Sequence, residues 1–237
     1  MAKVIFGGGV SEIRGSIAGQ VFSRNGSGAY IRNRVTPVNP QSASQSGVRQ
    51  NLGAIATAWK DLTEQQRNAW KAAAAGGFTQ RDSLGNAFQL SGQQLFMKLN
   101  TALFAAGSTG VTLTDPPAEV SLDQLQNAAL VSQTVTGTFS ITLSGDLIGT
   151  GANQKLVVFA TRALSQGISN PRKAEFKLIG AFDMSGSGGS FDLTAAYSAK
   201  FPEPPDGGKV FVRFHVLQAQ TGQTSNSTKV AAVHTVS

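Results

Sequence analysis

Residues 14–75 read RGSIAGQVFSRNGSGAYIRNRVTPVNPQSASQSGVRQNLGAIATAWKDLTEQQRNAWKAAAA, and the rest of the chain is organised around them. The stretch opens as two runs rich in strand formers, Arg14–Phe22 and Ala29–Val35. Asn25, Gly26, Ser27 and Gly28 between them are turn residues, which predicts a hairpin. If each run is one strand, both faces are mixed: Ile17 and Val21 lie with Gly15 and Gly19, and Phe22 lies with Arg14, Ser16 and Arg24. A two-stranded ribbon is marginal in water, so this one must lie against its own body or a neighbouring subunit. Thr36, Pro37, Val38, Asn39 and Pro40 then form a stiff spacer, because each proline drives its predecessor out of the helical region. Beyond it Val48, Leu52, Ile55, Trp59 and Leu62 recur at intervals of 4, 3, 4 and 3, the apolar stripe of an amphipathic helix. Thr63 with Gln66 gives a capping box that restarts a second helix through Trp70 to Ala75, ending at Gly76 and Gly77.

Upstream, residues 2–6 suit a short strand and Gly7–Gly9 a joint. Downstream, residues 78–90 read as a polar loop, and Ser91 with Gln94, stapled by Leu90 and Leu95, opens a third helix to about Ala106. Three short helices are expected to pack through Trp59, Trp70 and Phe96. Pro116 and Pro117, after a strand-like Val111–Leu113, read as a domain boundary. From there period-two alternation takes over: Phe139, Ile141 and Leu143; Leu156, Val158 and Ala160; Phe176, Leu178 and Phe182; Val210, Val212, Phe214 and Val216. Short alternating segments between turn residues are the signature of an antiparallel β-sandwich. The expected fold is therefore α+β and multidomain. Residues 1–40 form an extended basic arm, 41–110 a three-helix anchor and 111–118 a linker. Residues 119–237 form an immunoglobulin- or fibronectin-like sandwich of about seven strands, with a short helical crossover possible at Leu193–Lys200.

Composition bounds the chemistry. The absence of cysteine among 237 residues excludes disulfides, thiolate metal sites and cysteine nucleophiles. No stretch approaches the ~18 apolar residues of a membrane span, and MAKVIFGGGV is too short in apolar residues for a signal-peptide core, so a soluble protein is expected. The net charge of +7 is unevenly placed. Residues 1–60 carry seven basic groups against Glu12 alone; residues 61–110 carry four basic and three acidic groups, and residues 111–237 nine of each. A basic arm on a near-neutral body suits docking onto an acidic surface.

No catalytic, cofactor-binding or metal-ligating constellation is legible. His215 and His234 fall in predicted strands with no acidic residue at ligand spacing, and are expected to be structural and solvent-facing. No serine sits in a nucleophile elbow, and Gly186–Gly189 lacks the following lysine of a phosphate loop. The candidate contact residues are Arg14, Arg24, Tyr30, Arg32 and Arg34, since guanidinium forks bind carboxylate or phosphate. Trp59 and Trp70 read as core, although Lys60 and Lys71 follow them.

Taken together, GSIAGQVFSRNGSGAYIRNRVTPVNPQSASQSGVRQ, AWKDLTEQQRNAW and LSGQQLFMKLN resemble a group of uncharacterised phage and prophage proteins across roughly residues 14–105. The resemblance implies a virion structural component without enzymatic activity, an auxiliary or minor capsid or vertex protein. Its arm would dock on capsid or other virion proteins and on sister subunits, with no cofactor and no membrane. The alternative is nucleic-acid binding by the same arginines on phosphates. A carbohydrate-binding module ranks below both, since the carboxyl half has no tryptophan and only Tyr197 as tyrosine.

Overall fold

The computed structural model describes residues 2–25, 28–78, 80–81, 87–149 and 152–237. The chain divides once, into Met1–Ser46 and Gly47–Ser237. The N-terminal unit is a four-stranded antiparallel sheet of β1 (Ala2–Lys3), β2 (Gly15–Ile17), β3 (Gln20–Asn25) and β4 (Gly28–Asn33), in the order β1-β4-β3-β2. The expected strand Arg14–Phe22 is in fact two. Ala18 and Gly19 have φ of 43° and 82°, the left-handed pair of a type I′ turn, which folds β2 back onto β3. The predicted turn between β3 and β4 centres on Gly26 and Ser27, which lie outside the described residues.

In the second unit α1 (Ala43–Asp61), which begins just before the division, is followed by α2 (Glu64–Gly76) and α3 (Gly92–Ala105). Both capping boxes form: Gln66 and Gln94 return side-chain acceptors to the backbone amides of Thr63 and Ser91, at 3.0 and 2.8 Å. The apolar stripe of α1 is only half used. Ile55 and Leu62 are buried, while Val48 and Leu52 stay exposed. The expected loop 78–90 holds a two-residue ladder, β5 (Gln80–Arg81) with β6 (Ala87–Phe88).

The β-rich part comprises two four-stranded sheets. One has β10 (Lys177–Asp183), β9 (Gln154–Ala160), β12 (Lys209–Gln218) and β13 (Thr228–Val233) in that order. The other has β11 (Ser190–Asp192), β8 (Thr138–Ile148), β7 (Gln124–Val135) and β14 (Thr235–Val236), with β14 parallel to β7 and all other pairs antiparallel. Ile141, Leu143, Leu156, Val158, Val212 and Phe214 from both sheets form one core. Tyr197, on the short crossover helix α4 (Thr194–Ser198), closes it and donates its hydroxyl to Thr161 O at 3.2 Å. Burial pushes that phenol up to about 12. The alternation expected along residues 175–182 is interrupted: a bulge at Ile179 puts Leu178 opposite Phe159 and Gly180 opposite Val158. Leu178 therefore leaves the side shared by Ile179 and Phe182 and joins the opposite one.

The expected linker is neither free nor strand-like. Leu113 N–H donates to buried Asn100 Oδ1, the Trp70 indole donates to Thr114 O, and Gln223 Nε2 donates to Ala118 O. Leu103 of α3 and Ala106 just after it pack on Val157 and Leu217, so the helices and the β-rich part belong to one unit where the sequence reading set a boundary at Pro116. Among the described residues no helix is long and apolar enough to cross a membrane.

Candidate interaction surface

The register of the N-terminal sheet sorts its side chains. Phe22 pairs with Ile31 and Gly15, Arg24 with Ala29, and Ile17 with Gln20, so all of these share one face. The other face carries Lys3 opposite Tyr30 opposite Ser23, and Arg32 opposite Val21 opposite Ser16. Arg34 extends this second face by one step, held by its N–H to Gly19 O at 2.7 Å. The composition expected from one long strand is thus corrected in part: the Ala18–Gly19 turn moves Ile17 to the side of Phe22, leaving a more apolar face, which still carries Gln20 and Arg24, and a cationic face, which still carries Val21. An Ala-Gly pair gave no hint of it, because alanine disfavours the left-handed region.

Of the five candidate contact residues, Tyr30, Arg32 and Arg34 lie together on the cationic face, joined by Lys3, which the sequence reading did not single out. Arg14 and Arg24 converge instead on Glu12 Oε1, at 2.9 and 3.7 Å. Their side chains are 67% and 61% exposed, so these pairs set orientation more than stability. Among the described residues before Ser46 none is buried. The sheet therefore has two faces of different composition and no interior of its own.

The three anchor residues do come together. Phe96 lies between the indoles, with centroids 5.3 Å from both Trp59 and Trp70 and the Trp70 contact edge-on at 89°. Trp70 and Phe96 are fully buried. This rules out Trp70 as a stacking platform and leaves it as the centre of the helical core.

His234 departs from expectation. It sits where the chain crosses from β13 to β14, its backbone pairs with Gly207 and Gly208, and its ring is fully buried. Ser132 Oγ lies 2.9 Å from Nδ1 and Thr134 Oγ1 lies 3.2 Å from Nε2. Because the Thr134 hydroxyl donates to Glu203, its oxygen accepts from Nε2–H; in the neutral ring Nδ1 is then the acceptor for the Ser132 hydroxyl. Hydroxyl, imidazole and carboxylate thus form a chain, but one closed to substrate, with Ser132 only 3% exposed and the carboxylate on a hydroxyl rather than on the ring. It pins the crossover between sheets. A contact 102 residues apart in sequence left no local signal.

His215, by contrast, stacks on Phe159 and lines an open cavity of about 530 Å³ with Gln124, Asn127, Ser225 and Asn226. Burial, then the positive charge of Arg213, lowers its pKa. The folded protein therefore binds its proton less readily than the unfolded chain. The resulting contribution to stability is complete above the free imidazole value of ~6.5 and is lost as pH falls below it. We expect an NMR titration midpoint for His215 below ~6.5, moving up in Arg213→Gln; a midpoint at or above the free value would contradict this assignment.

No family model matches this chain, and no curated protein matches it. Among solved structures it is similar to a β-1,2-glucanase from Parabacteroides distasonis, at 12% identity and a TM-score of 0.25. The match covers 51% of this chain and 14% of that one, a likeness too slight to bear on fold or function. Among the described residues no group of three histidine, aspartate or glutamate side chains is placed to hold a metal ion.

Proposed function

We propose that this chain is a non-enzymatic structural component of a phage particle, an auxiliary or minor capsid or vertex protein. Its N-terminal unit docks and oligomerises, and its β-rich part is displayed. The observation that carries this reading is the N-terminal sheet itself: four strands with no buried residue among those described, a single layer whose apolar side must be buried against another element. The resemblance of residues 14–105 to phage proteins supplies the setting. We read the β-rich part as an immunoglobulin-like sandwich of fibronectin-like arrangement. Strands β7, β8 and β11 on one side face β10, β9, β12 and β13 on the other, with the chain passing between sheets as in a Greek key. The test is incorporation: particles from the encoding phage or prophage should contain the full chain at a fixed copy number, and a chain beginning at Gly47 should be left out.

A second reading draws on the cationic face, where Lys3, Arg32 and Arg34 flank Tyr30 as they would along a phosphate backbone. Three such contacts imply a logarithmic salt slope of about −3 for duplex DNA. Binding of the full chain to a random-sequence duplex with that slope, lost in Arg32→Glu, would favour nucleic acid. No binding at low salt would remove this reading.

A further inference from the structure

We infer that the apolar face of the N-terminal sheet packs on the same face of a second copy of this chain, sheet on sheet. The inference rests on the structural reading above and narrows the partner of that face to the chain itself. Val4, Ile17, Phe22, Ala29 and Ile31 gather there once the Ala18–Gly19 turn is made, with Val4 N–H bonded to Ala29 O. Ile17 remains 57% exposed, and Val4, Phe22, Ala29 and Ile31 are partly buried without any of them being fully covered. Apolar surface gathered on one face in this way marks a site that another surface covers.

Charge decides what covers it. The one charged strand residue on the face, Arg24, is matched within the unit by Glu12 at 3.7 Å, so the face is close to neutral. An acidic or basic partner would gain nothing there. Lys3, Arg32 and Arg34 lie on the opposite face, and two sheets stacked ~10 Å apart would hold these like charges outward. The relief also suits a two-fold contact. Phe22 and Ile31 make a ridge, and beside Phe22 lies Gly15, whose missing side chain leaves open space. A ridge beside a groove on one face lets two copies fill each other reciprocally, as an isologous contact requires.

The test uses the full-length protein. Light scattering across a concentration series should give a dimer or an even multiple. Phe22→Glu should raise the dissociation constant at least tenfold, while Arg32→Glu on the opposite face leaves it unchanged. Because the chain has no cysteine, Ala29→Cys and Ser16→Cys each introduce a single thiol reporter, one per face. The thiol at position 29 should be shielded from maleimide at high protein concentration and released on dilution, and the one at position 16 should react equally at both. This second measurement stands even if Phe22→Glu disturbs the sheet. A monomer at every concentration, or an oligomer that leaves the thiol at position 29 as reactive as the one at position 16, overturns the inference. A monomer that is nevertheless built into particles would do so while leaving the structural reading intact; a face-dependent dimer absent from particles would do the reverse.

Discussion

Trp70→Ala should cost the C-terminal unit about 3–5 kcal/mol, the upper range for truncating a buried aromatic side chain. Three losses coincide at this residue. Its ring is fully buried, it meets Phe96 edge-on at 5.3 Å, and its indole N–H satisfies Thr114 O at 2.9 Å. The last bond ties the segment leading into the β-rich part to the helical core, so a cavity would open and a carbonyl would lose its donor together. For a unit of this length the melting temperature should fall on the order of 10 °C. Trp70→Phe, which keeps an aromatic ring but removes the N–H, should cost only about 1–2 kcal/mol. Thermal unfolding followed by circular dichroism measures both. A nearly neutral Trp70→Ala would mean that the helical core is not built around this ring.

Gly222→Ala should be nearly as damaging, for a reason that has nothing to do with cavities. Gly222 has φ of +69°, and a Cβ there would lie 2.3 Å from Leu99 O and 2.9 Å from Leu99 C in the middle of α3. The new methyl would meet backbone, which cannot rotate away, in a conformation that already disfavours an L side chain. The turn and α3 would have to separate, disturbing the bonds from Gln223 to Val120 N and Ala118 O. We expect a loss of about 2–4 kcal/mol from strain and overpacking combined. Gly53→Ala, in α1 with open space around the added methyl, should instead be neutral or slightly stabilising. Paired melting curves decide it: equal stability for the two variants would mean that α3 does not rest on the β-rich part at this glycine.

Features written in short local patterns were legible in the sequence. The capping boxes at Thr63 and Ser91 need only a hydroxyl and a glutamine three residues on. The alternation of Val210, Val212, Phe214 and Val216 needs only a strand without interruption, and β12 is one. What failed were the interruptions. Ala18–Gly19 turns where alanine is disfavoured, and Ile179 adds a residue that shifts the inward side by one position. Each reverses which side chains share a face, because a strand's period of two has no tolerance for a single extra residue. Periodicity also identified the stripe on α1 without showing how much of it would be covered. Val48 and Leu52 continue the pattern of Ile55 but remain exposed. The arginines were visible as a class, yet their division, with Arg24 drawn to Glu12 and Arg32 and Arg34 on the far face, follows from strand register. His234 was the least accessible to reading, since its partners Ser132 and Thr134 come from a strand about a hundred residues earlier.

We propose a particle component whose N-terminal unit attaches it. The most direct measurement is quantitative mass spectrometry of particles purified after induction of the encoding phage or prophage, comparing the full chain with one beginning at Gly47. Peptides of the full chain should appear at a constant ratio to the major capsid protein, and should be lost from particles, but not from the lysate, when residues 1–46 are removed. Particles free of the full chain, or particles that retain the shortened chain at the same ratio, would contradict the proposal.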